Sequence, residues 1–208
     1  MNERRRWDGV FSTRRLTGSL WLLAFSSIGL LTLGCRPSSV DQAPVAGRVG
    51  DPLPALQPAA WINKDPQLAS TGPLGKVMVI EAFATWCGPC RLMAPAMVQL
   101  RQEIDAQREE SAPVEVEFIS LTPEPAAELD AIRQFIADHG VKWPVGVGAE
   151  STLVALGTEG LPTVWVIGVD GRIVWRKAGW SGSADLVPLR AAIALALENQ
   201  QPPASVPQ

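Results

Sequence analysis

Residues 77–84 form an almost unbroken apolar run, "VMVIEAFA", with a single acid, Glu81, inside it. A short run of this kind suits a strand buried on both faces. Apolar positions then recur at helical spacing through "CRLMAPAMVQLRQEIDAQ", where Leu92, Met97, Leu100 and Ile104 share one side. Pro95 within it predicts a kink, because proline lacks the backbone donor and crowds the preceding turn. Residues 114–121 make a second β-rich run. "PAAELDAIRQFIADHG" sets Leu129, Ile132, Phe135 and Ile136 on one helical face and ends on Gly140, a C-cap. A short strand around Val145 and a short helix over 151–156 follow. "PTVWVIGVDGRIVWRKAG" holds two β-rich runs about a V-D-G-R turn, a hairpin signal. A last helix is predicted over 184–197, with Ser183 as its N-cap.

The predicted order is βαβαβαββα, which defines an α/β fold. Strands joined through helices pair in parallel with right-handed crossovers, and the terminal hairpin adds antiparallel pairing. The expectation is a mixed β-sheet with helices on both faces. Residues 36–60, rich in Pro, Gly, Ala and Gln, predict a flexible linker, and 199–208 a disordered tail. Between them, 61–198 has the length of one domain with a substantial core.

Charge alters the picture at the N-terminus. The net charge is only −3, and no basic patch points to nucleic acid. Yet Arg4, Arg5, Arg6, Arg14 and Arg15 all precede residue 20 and are followed by "LWLLAFSSIGLLTLGC". A basic flank, a short apolar run and small residues before a break predict an export signal over 1–35. The apolar run is shorter than the roughly 18–20 residues of a spanning helix. "LTLGC" resembles a lipoprotein lipobox, which implies lipidation of Cys35; an uncleaved anchor is the other form left open. In both, the positive-inside bias puts the domain outside the cytoplasm and tethers it through its N-terminus.

With Cys35 assigned to lipid, Cys87 and Cys90 remain of three cysteines. Zinc needs four ligands, and the sole histidine, His139, cannot complete a site with them. A structural disulfide closing so small a loop would constrain the unfolded chain little. Redox exchange suits the layout. Cys87 falls where a strand ends and a helix begins, so a thiolate there meets unpaired N–H groups and the positive helix end. Such surroundings lower a cysteine pKa and make it the attacking sulfur, with Cys90 one turn on as the resolving one. Pro89 is tolerated in a first helical turn.

"WCGPCRLMAP" resembles the thioredoxin active site, and the layout over about 61–197 resembles the TlpA/ResA-like branch of exported thiol–disulfide oxidoreductases. "LTPEPAAELDAIRQFIADHGVKWPV" matches the extra central strand–helix insertion of that branch, and "GLPTVWVIGVDGRIVWRKAG" its G-x-P-T … D-G-x-I run. The resemblance implies a thioredoxin-like fold, a redox-active Cys87–Cys90 disulfide with no further cofactor or metal, and substrate contacts from Trp86, Gly88, Pro89, Leu161 and Pro162. It makes Pro162 a cis-proline that presents the Leu161 backbone to a substrate strand, a form of β-augmentation. Glu81 takes the place of thioredoxin's buried acid, usually aspartate. Burial there raises its pKa and makes it a proton-transfer partner of Cys90.

The Gly-Pro dipeptide lacks the histidine that stabilises the thiolate of strong oxidants, so a reducing role is expected. The implied partners are disulfide-containing envelope proteins, apocytochrome c among them, and a membrane electron donor; the protein is expected to be a monomer. An envelope oxidase or isomerase would use the same residues at a higher potential. A copper metallochaperone on this fold would want wider cysteine spacing and a downstream histidine. A peroxidase would want threonine where Ala84 stands.

Overall fold

The computed structural model describes residues 47–63, 75–108 and 114–199. The expected export signal with Cys35, the first part of the expected linker and nearly all of the expected tail lie outside the described residues.

Six strands form one sheet: β1 (Ala60–Ile62), β2 (Lys76–Ala82), β3 (Glu115–Thr122), β4 (Val145–Val147), β5 (Thr163–Ile167) and β6 (Ile173–Ala178). Four α-helices join them: α1 (Gly88–Gln107), α2 (Leu129–His139), α3 (Glu150–Ala155) and α4 (Leu186–Glu198). The order across the sheet is β1-β4-β3-β2-β5-β6. β2 pairs in parallel with β3 and antiparallel with β5, which places it at the centre and explains its apolar run. The hairpin closes where Asp170 Oδ1 accepts the Arg172 N–H at 3.0 Å and Gly171 takes a positive φ of 77°.

The two faces are covered differently. Val77, Val79, Phe118 and Val164 pack under α1, α2 and α4, whose inward residues include Met93, Met97, Leu100, Ile132, Phe135, Leu189 and Ile193. An ion pair between Arg190 and Glu103 ties α4 to α1 on that side. On the opposite face, among the described residues, Met78, Ile80, Leu121, Trp165 and Ile167 pack with the short α3, an extended N-terminal segment, Leu161 and Ile173. Each large apolar side chain buried this fully contributes roughly 1.5–3 kcal/mol.

That segment corrects one expectation. Residues 47–60 do not form a free linker: Leu53 and Leu56 pack against the second face. The segment is stitched to β6 by Gly50 N–H to Ile173 O and to the turn before it by Leu53 N–H to Gly171 O, both 2.8 Å, and to α3 by Gln57 N–H to Thr152 Oγ1 at 2.9 Å. Regularly spaced leucines in a proline-rich stretch supply burial without secondary structure. The segment ends in β1, an edge strand antiparallel to β4 that adds one element to the expected order.

Ser183 is a second correction. It opens a 3₁₀ turn (Ser183–Asp185), and Asp185 stands directly before α4. The Asp185 carboxylate accepts the Ser181 N–H at 2.7 Å instead of capping the helix. Gly140, in contrast, does close α2, with φ 71° and its N–H bonded to Ala137 O and Ile136 O.

Candidate active site

The first turn of α1 is built around sulfur. Cys87 precedes the helix in an extended conformation, and its Sγ accepts the Cys90 N–H at 3.2 Å. A cysteine thus fills the N-cap role usually taken by Ser, Thr, Asp or Asn. Cys87 and Cys90 are joined as a disulfide with Cα atoms 5.3 Å apart. Cys90 is buried, whereas Trp86 is 71% exposed and Gly88 and Pro89 lie open beside it. Pro89 occupies the first turn, where its missing N–H leaves no bond unmade. Cys87 and Cys90 are both nearly buried, 5% and 1% exposed, beside the open rim of Trp86, Gly88 and Pro89.

The loop leading into Cys87 is held from two sides. Arg91 Nε–H donates to Thr85 O at 2.8 Å from within α1. Beyond β3, Glu124 Oε2 accepts the Thr85 N–H at 2.9 Å and Oε1 accepts the Thr85 hydroxyl. Thr122 Oγ1–H adds a bond to Glu124 Oε2 at 2.8 Å. Glu124 is 7% exposed, so a buried carboxylate is satisfied wholly by neutral donors.

Glu81 lies opposite Ser120 in the β2–β3 register, on the face that carries α1. Ser120 Oγ–H donates to Glu81 Oε1 at 2.5 Å, and Trp143 Nε1–H donates to Ser120 Oγ at 2.6 Å. Glu81 Oε2 is buried and has no hydrogen-bond partner among the described residues. Burial pushes the Glu81 carboxyl up to about 7, against a smaller downward pull from the Ser120 hydrogen bond.

The Leu161–Pro162 peptide is cis. Thr163 pairs with Ala82, so this bond lies beside the chain leaving β2 towards Cys87. Gly179 N–H occupies Pro162 O at 2.7 Å. Among the described residues, the Leu161 N–H and C=O have no partner.

Cys87, Cys90, Trp86, Gly88, Pro89, Leu161, Pro162 and Glu81 thus gather at one end of the central strands. Sequence reasoning missed Ser120, Trp143, Glu124, Thr85 and Arg91. The one available signal was Ser120, a polar residue at an inward position of an alternating strand. Among the described residues, no three of His, Cys, Asp and Glu converge as a metal site.

A mixed sheet, a disulfide at a helix N-terminus and a cis-proline beside it define a thioredoxin-like protein. The redoxin family profile matches residues 48–187, and the chain belongs to that family. A thioredoxin of Coprinus comatus is 34% identical over 79 residues, covering 38% of this chain and 74% of that one. A thiol-disulfide oxidoreductase ResA of Bacillus thuringiensis (strain Al Hakam) is 31% identical over 107 residues, covering 50% of this chain and 56% of the relative. The chain therefore spans little more than half the length of that relative. A solved structure of a thiol-disulfide isomerase from Corynebacterium glutamicum superposes with a TM-score of 0.54 at 26% identity, covering 72% of this chain and 97% of that one. A Chlorobium tepidum structure described as a thiol:disulfide interchange protein DsbE has a TM-score of 0.57 at 23% identity, covering 73% and 99%, and its likeness is one of fold.

Proposed function

We propose that the protein is an extracytoplasmic thiol–disulfide oxidoreductase that reduces disulfides in envelope proteins, including those of apocytochrome c. The observation that carries the reading is the Cys87–Cys90 disulfide, with Cys87 as the sulfur cap of α1 and Cys90 buried beneath it. In the reduced enzyme, the N–H groups of the first turn stabilise a Cys87 thiolate. That thiolate attacks one sulfur of the substrate disulfide, the substrate S–S bond breaks, and the departing thiolate takes up a proton. Cys90 then gives its proton to the Glu81 carboxylate and attacks Cys87 Sγ. The Cys87–Cys90 bond reforms, and the second substrate thiolate leaves with a proton. Two electrons pass to the substrate, and a membrane thiol donor restores the dithiol.

Support for substrate contact comes from Trp86, Gly88 and Pro89, which expose an apolar and backbone-rich rim, and from the unpartnered Leu161 backbone beside cis-Pro162. An extended substrate segment can bond to Leu161 as an added strand. The extracytoplasmic placement rests on the N-terminal signal pattern and on the ResA-like relatives. Among the described residues, no helix is long and apolar enough to cross a membrane.

The test is mixed-disulfide trapping. Cys90→Ser in the full chain should hold envelope proteins on Cys87, released by dithiothreitol, and Cys87→Ser should hold none. Absence of trapped proteins from Cys90→Ser, together with no disulfide reduction by the wild type, would remove the reading.

A further inference from the structure

We propose that Ser120 and Trp143 are positioning residues that hold Glu81 Oε1 and so confine the exchangeable proton of this carboxyl to Oε2. The inference rests on the thiol-exchange reading for its use, but its geometry stands apart from it. An indole N–H can only donate. Trp143 Nε1–H, 2.6 Å from Ser120 Oγ, therefore makes that oxygen an acceptor. The single hydroxyl hydrogen of Ser120 then points at Glu81 Oε1, 2.5 Å away. Oε1 accepts this bond whether the carboxyl is charged or neutral. The acid proton must sit on Oε2, the atom with no partner in a side chain that is 5% exposed.

A buried polar atom without a partner calls for an explanation, because leaving one unpaired is unfavourable. Here the explanation is use. A second donor at Oε2 would favour the charged form and strip the carboxyl of its proton, and a carboxyl bonded at neither oxygen would turn freely. Fixing one oxygen leaves the other on the α1 side of the sheet, within the core that also holds Cys87 and Cys90.

The surroundings limit what else can set the charge of Glu81. α1 brings Cys87 and Cys90 to this core, with Arg101 placed over the Phe118 ring. Beyond β3, Glu124 is taken up by Thr85 and Thr122. α2 brings His139, stacked on Phe135 with ring centroids 4.4 Å apart, and apolar side chains. α4 and β5 contribute apolar residues, among them Leu186, Leu189 and Val164. Ser120 supplies the direct hydrogen bond to Glu81, and Trp143 directs it.

The experiment is a carboxyl-selective titration of the oxidised full-length protein, by ¹³C NMR of labelled Glu or by the infrared carboxyl band. Glu81→Gln assigns the signal. Ser120→Ala should raise the Glu81 midpoint by about one pH unit, a tenfold change in its ionisation constant. Ser120→Thr should restore it, and Trp143→Phe, which frees the hydroxyl to turn, should raise it in the same direction. The pH profile of disulfide reduction should move with the midpoint while KM stays constant. A midpoint unchanged in both Ser120→Ala and Trp143→Phe overturns the proposal, as does failure of Ser120→Thr to restore it. Since Trp143→Phe keeps an aromatic ring beside Phe118, it gives the answer if Ser120→Ala does not fold. A shifted midpoint in a protein that exchanges no thiols leaves the proton placement standing and removes the function reading instead.

Discussion

Glu124 accepts both the backbone N–H and the hydroxyl of Thr85, a residue 39 positions earlier and two before Cys87. The end of β3 thereby fixes the loop that delivers the nucleophile to the helix. Replacing Glu124 with Ala leaves two buried donors of Thr85 unpaired, each costing about 1–3 kcal/mol. Urea unfolding of Glu124→Ala should show a loss of about 2–6 kcal/mol, with slower disulfide reduction even where the fold persists. A midpoint unchanged from wild type would mean that water replaces the carboxylate without loss.

Glu81 predicts a pH dependence of stability. Its folded-state pKa, about 7, lies above the unfolded value of 4.5, so the folded state binds more protons between these values. Stability from this group is complete below about 4.5 and is lost as pH rises through about 7. The difference corresponds to roughly 3 kcal/mol. Glu81→Gln should flatten that part of the stability–pH curve. Denaturation at pH 4.5, 6 and 8 measures it, and parallel curves for the two proteins would contradict the buried acid.

The redox equilibrium against glutathione should place the Cys87–Cys90 pair nearer thioredoxin, about −270 mV, than the strong oxidant DsbA, about −120 mV. Gly88 and Pro89 put no cation between the two cysteines, unlike the histidine of strong oxidants. Introducing histidine as Pro89→His should raise the potential. A wild-type value near −120 mV would turn the proposed function into an oxidase.

Gly47 has φ 119°, and a Cβ added there would lie 2.0 Å from Leu156 O. Gly47→Ala should therefore detach the start of the N-terminal segment from α3. Limited proteolysis should cut within 47–58 faster than in wild type, with disulfide reduction unchanged. Equal cutting rates would show that the segment is held from Gly50 onwards alone.

Much of the architecture was legible because periodicity and punctuation carried it. The apolar run of β2, the Ile132–Phe135–Ile136 stripe with Gly140 after it, and the V-D-G-R turn are local signals. The sulfur pair and its helix-end setting were legible for the same reason. β1 was not: its pairing with β4 supplies the reason for three residues to extend, and pairing is not written locally. Ser183 looked like a cap because its residue type fits, but Asp185 turned its carboxylate to Ser181 instead. Glu124 and Ser120 act across the sheet, so a reading along the chain shows a polar residue without showing what it holds. Glu81 was found only because a lone acid in a buried strand is conspicuous on its own.

The N-terminal segment also decides how the domain bears a pull. Residues 47–58 join the fold through bonds to β6 and α3 and through Leu53 and Leu56, on the face away from α1. A pull applied at Gly47 is spread over this seam before it reaches β1. The loop holding Cys87, clamped by Glu124 and Arg91 from its own side, stands outside the load path. A domain pulled at Gly47 can thus keep Cys87 in place.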